Sequence, residues 1–210
     1  MLHQTAYVPS GARAVHQAAL DAFATAQSAA TERRLAAVEA IWKATLLGRE
    51  AVSRHTLIYD ILTREEIARA HVEPKSRQLI AGLSFDWLSK EFMPLYRDVD
   101  LQRPFVDEVL WSLHYGYRTL LGRTVAILSI ALDQRTPFPF WLDDTLVREV
   151  LPSLLTTDEL QEVNNMKAGS LVKTEAYIEQ KIISAAKTAV SGRSHSEGPS
   201  KMPEASWRRP

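Results

Sequence analysis

The residues best placed to do chemistry lie between Asp107 and Arg123. Asp107 and His114 are seven apart, two helical turns on one face, with Glu108, Tyr115, Tyr117 and Arg118 beside them. Such a set suits the wall of a small-ligand pocket, with His114 as an acid–base group and Arg118 as its charged contact. The plainer alternative is a histidine at the polar margin of a helix whose N-terminal carboxylates answer its dipole. His55 and Tyr59 are spaced i,i+4 with Asp60 adjacent, as in a catalytic patch or an ordinary surface hydrogen bond. Arg123 stands inside LLGRTVAILSIAL, where it must find a carboxylate or carbonyl partner, emerge at the surface, or grip an anion.

Cations interleaved with aromatics suggest a second chemistry, base stacking with phosphate contact. Lys43, Arg49, Arg54, Arg97, Arg103, Arg118 and Arg123 are the candidate nucleic-acid contacts, several beside Trp42, Tyr96 or Tyr117. Against this, Lys+Arg and Asp+Glu both total 25, whereas duplex binders carry a basic excess. A third reading is apolar. TPFPFW offers Phe138, Phe140 and Trp141 in a proline-stiffened loop, and Trp207 sits beside Arg208 and Arg209 near the end of the sequence. These four aromatic residues are the candidate protein interface.

Several classes are excluded. The chain has no cysteine, so disulfides, thiolate catalysis and thiolate-held metals are absent, and an intracellular setting fits that composition. It has no phosphate-cradling glycine loop, nucleophile elbow or HExxH, and no Glu precedes a His by three. Nothing in the residues calls for a metal or cofactor. The most apolar run, Leu120–Leu132, contains Arg123 and is shorter than the ~20 residues of a membrane span.

The elements that must position these side chains read as helices. From Pro104 to Gln134 apolar residues fill most of the circumference, which predicts one long helix enclosed by others. Ser10 caps an alanine-rich region running towards Gly48, either one bent helix or two meeting near Ala30–Thr31. Val52–Leu62 is read as helix in preference to strand. Thr63–Glu66 and Thr156–Glu159 are capping boxes. The first opens a helix ended by Pro74, Ser76 starts another carrying Leu79 to Phe92, and Asp143–Val150 is a helix ended by Pro152. Ser170–Val190 is amphipathic. The expectation is an all-α, single-domain bundle over 10–191 around a buried central helix, with a disordered lead (1–9) and tail (192–210). Its expected function is non-enzymatic protein interaction as an adaptor or regulator, with self-association possible. RNA binding and a ligand pocket stand as the alternatives.

Overall fold

No proline falls between Pro9 and Pro74, and alanine, the best helix former, recurs throughout that stretch. A helix begun there meets no breaker. The computed structural model describes residues 10–191, and in it this region is one uninterrupted helix, α1 (Ser10–Ile61), of 52 residues. At 1.5 Å per residue it is about 78 Å long. Of the two readings near Ala30–Thr31, one helix or a junction of two, the junction does not occur. The pattern changes there because the helix is about to enter the body: residues 15–36 are all exposed, and burial begins at Ala37. Gly48 does not stop the helix either. A Cβ at that position would lie 1.8 Å from the Tyr96 hydroxyl, so glycine there admits the tyrosine.

After α1 come α2 (Arg64–Ala70), α3 (Pro74–Leu79) and α4 (Phe85–Trp87), then a π turn, a 3-10 turn and α5 (Arg97–Asp100). Thr63 and Glu66 close the capping box as read from sequence. The single helix expected from Ser76 to Phe92 is divided, because Gly82 adopts φ +87 and Ser84 caps a fresh start. Ile80, Leu83, Leu88 and Phe92 are nonetheless buried.

The central helix α6 is Glu108–Gln134, shorter than expected. Asp107 accepts from Leu110 N and caps it, while Pro104 belongs to a separate 3-10 turn, Arg103–Phe105. Nor is α6 enclosed on every side, since Val109, Tyr115 and Ile130 are exposed. α7 (Thr145–Leu154) runs two residues past Pro152, the proline expected to end it, at the loss of the one N–H that would donate to Arg148 O. α8 (Thr157–Asn165) has the second capping box, and α9 (Ser170–Ser191) closes the fold. The described residues contain no strand.

Three helices make the frame. α9 runs antiparallel to α1: Gly169 N donates to Tyr59 O, Val172 N to Asp60 Oδ1, and Arg49 pairs with Glu179 at 2.7 Å. α6 runs beside α1 in the same direction, from Arg33 over the Phe105 ring to Thr45 against His114. Gly116 lets α7 close on α6, because its Cβ would meet a Leu154 methyl at 2.5 Å. The buried side chains form one cluster. α1 is therefore two things in one helix: a spine from Ala37 onward and a projecting arm before it.

Candidate docking surface

The side chains expected to do chemistry are spent on structure. His114 is buried, and its Nδ1 lies 3.2 Å from the Thr45 hydroxyl, whose own proton goes to Ile41 O at 2.9 Å. Nδ1 must therefore carry the ring proton, leaving Nε2 bare among Tyr96 and Trp111. Burial, helped by the nearby Arg118 charge, lowers the imidazole pKa to about 4. Arg118 lies 4.7 Å over the Tyr96 ring and donates to Asp100 at 2.9 Å. Tyr96 thus fills the space that a pocket between His114 and Arg118 would need. His55, Tyr59 and Asp60 also diverge, to Trp87, Pro139 O and Val172 N respectively.

The basic candidates do not gather. Arg49, Arg103, Arg118 and Arg123 pair with Glu179, Glu108, Asp100 and Asp144. Lys43, Arg54 and Arg97 have no ion pair among the described residues; Lys43 and Arg54 stand about 20° apart round α1 but about 16 Å apart along it, and Arg97 belongs to α5. The loop aromatics Phe138, Phe140 and Trp141 are buried, a correction to their reading as interface. The two prolines turn the loop inward, where Trp141 Nε1 donates to Ser170 Oγ at 3.0 Å. Trp207 lies outside the described residues.

Sequence reasoning missed a buried acid. Glu175 lies between α9 and the α1–α6 pair, near Glu179, which accepts from Arg49 and Tyr117. Burial first, then Asp60 and Glu179, push its pKa up to about 8. Its signal was register: Leu171, Glu175, Ile178 and Ile182 step by four, three and four along one face.

Glu175 and His114 give opposed pH windows. Glu175 binds its proton more tightly folded than unfolded, so its contribution is full below about 4.5 and lost as pH rises through about 8. His114 binds its proton less tightly folded, so its contribution is full above about 6.5 and lost as pH falls through about 4. Between 4.5 and 6.5 the two slopes oppose each other. Urea titrations at stepped pH should show stability falling from pH 6.5 to 8, and Glu175→Gln should flatten that fall. An unchanged slope in the variant would remove Glu175 as its source.

Large apolar side chains such as Val72, Phe85 and Leu101 are exposed singly on the body, and the longest continuous exposed stretch is the arm. Val15 is 73% exposed, Leu20 49%, Phe23 69% and Leu35 44%, within a helix otherwise rich in alanine. Ala19, Phe23, Ala26 and Ala30 step by four, three and four. They stand at the same helical angle as the core positions Ala37, Ile41, Ala44 and Gly48. The face that α6 and α9 cover inside the body thus continues uncovered outside it. At the foot of the arm lies a groove of about 800 Å³, whose lining joins the apolar Val109, Leu113 and Leu155 to both acidic (Asp107, Glu108) and basic (Arg34, Lys181) side chains.

Fold and surface together define an all-α protein with a helical frame and a protruding amphipathic arm. No protein-family model, curated protein or solved structure matches the chain. No helix among the described residues is long and apolar enough to cross a membrane.

Proposed function

We propose that this chain is a non-enzymatic protein-interaction module, an adaptor or regulator, and that residues 15–36 of α1 are its docking element. One observation carries the reading. A core-type helical face, with Leu20 and Phe23 upon it or at its edge, extends through 22 consecutive exposed residues. Exposed apolar surface arranged in this way commonly marks an interface. A helix gains most of its stability from packing its apolar face, so the arm is better stabilised with a partner than without. The enzyme and ligand readings lose support because His114 and Arg118 are occupied within the protein. RNA binding loses support because four of its seven candidate cations are already paired.

The test is Leu20→Gln with Phe23→Gln, substitutions that keep helix propensity and remove apolar surface. Both side chains stand outside the core, so the melting temperature of the body should not move. Recovery of proteins captured from the native cell should fall by roughly tenfold or more, equivalent to about 1.4 kcal/mol of binding. Undiminished recovery would count against the arm.

A further inference from the structure

We infer that the arm's partner is a second copy of this chain, with the two arms lying antiparallel across a two-fold axis near residues 24 and 25. This rests on the docking role proposed above. In that register Phe23 of one copy stands opposite Ala26 of the other, and Ala19 stands opposite Ala30. A large side chain thereby meets small ones twice, once on each side of the axis. Small residues along the seam let the two helices approach closely, and the phenylalanines fill the space between them.

Contact area favours this arrangement over a lone pair of rods. Residues 13–36 form about 36 Å of helix, and a seam about 10 Å wide gives a footprint of roughly 360 Å² per copy. The two footprints together come to roughly 720 Å², short of the ~1,200 Å² at the lower edge for a stable complex. The groove supplies more. Antiparallel pairing sets the first turns of one arm, residues 10–13, level with residues 36–39 of the other, where α1 enters the body and the groove opens. The arriving end is the positive end of a helix dipole, and no carboxylate precedes Asp21 in the sequence. The carboxylates lining the groove are already engaged, Asp107 capping α6 and Glu108 pairing with Arg103, and Arg34 and Lys181 line the same groove, so the contact there rests on the apolar Val109, Leu113 and Leu155. The two-fold makes each contact reciprocal and closes the assembly at two copies.

Sedimentation equilibrium of the full chain, from micromolar to submillimolar concentration, should reach twice the 23.6 kDa of one chain. Leu20→Gln with Phe23→Gln should return it to a single copy. The chain lacks cysteine, so single spin labels through Thr25→Cys and Ala36→Cys report the geometry directly. The two copies of position 25 should lie within roughly 20 Å, and those of position 36 about 35 Å apart along the axis. Equal distances at both sites would mean parallel arms and overturn the arrangement. A dimer that survives the Gln substitutions would place the contact elsewhere and overturn it too. A single-copy mass at every concentration would also overturn it. The docking role would then still be judged separately, by the capture experiment with the same variant.

Discussion

Replacing Trp141 by Ala should cost about 3–5 kcal/mol of folding stability, the range for deleting a large aromatic from a core. The ring is 0% exposed, the largest of the fully buried side chains. It follows the Pro137–Pro139 loop and packs beside Phe140. Its indole N–H donates to Ser170 Oγ at the first residue of α9. Truncation therefore opens a cavity and also unties α9 from the loop. Trp141→Phe, which keeps most of the volume but loses the donor, should cost clearly less. Urea denaturation followed by circular dichroism measures both. If Trp141→Ala left the midpoint unchanged, the ring would not be core, and the loop would return as a candidate surface.

The second large effect is expected at Asp144. Its carboxylate accepts from Arg123 Nε at 2.9 Å and from Arg123 Nη2 at 2.7 Å, and also from Val147 N, which caps α7. These bonds, the arginine's foremost, hold its pKa below the ordinary carboxylate value. Asp144→Ala removes the cap and leaves a half-buried guanidinium without its partner, a combined loss of about 2–3 kcal/mol. Asparagine still caps a helix, so Asp144→Asn should lose only the charged part. Equal losses for Ala and Asn would show that the cap contributes nothing. The same pair settles what Arg123 does: it joins α6 to α7 within the chain and is not held ready for a phosphate.

What the sequence disclosed and what it hid follow from contrast between neighbours. Both capping boxes were legible because a hydroxyl and a carboxylate three residues apart have few other uses. The central helix was legible because large apolar residues mark its faces, although Asp107 rather than Pro104 sets where it starts. Whether α1 was one bent helix or two stayed open in the sequence because alanine is equally at home in water and in a core. The pattern therefore reported where burial began, not where the helix ended. The Phe138–Trp141 loop misled for a related reason. Apolar side chains between prolines state that they need cover without saying whether the chain's own helices provide it. Glu175 was overlooked because a carboxylate suggests solvent, while its register placed it inside. Convergence of the polar clusters could not be judged from spacing within one helix, since Tyr96, which fills the space beside His114, comes from another element.

One helix organises a core from Ala37 onward and, in the proposed function, meets another polypeptide before it. Site-specific photo-crosslinking in the native cell tests that division most directly, with a benzophenone side chain in place of Phe23 on the arm or of the exposed Gln161 on the body. Irradiation should give a heavier covalent adduct from position 23 and none from position 161, with the adduct's mass telling a second copy from another protein. Adducts from position 161 with none from position 23 would contradict the account.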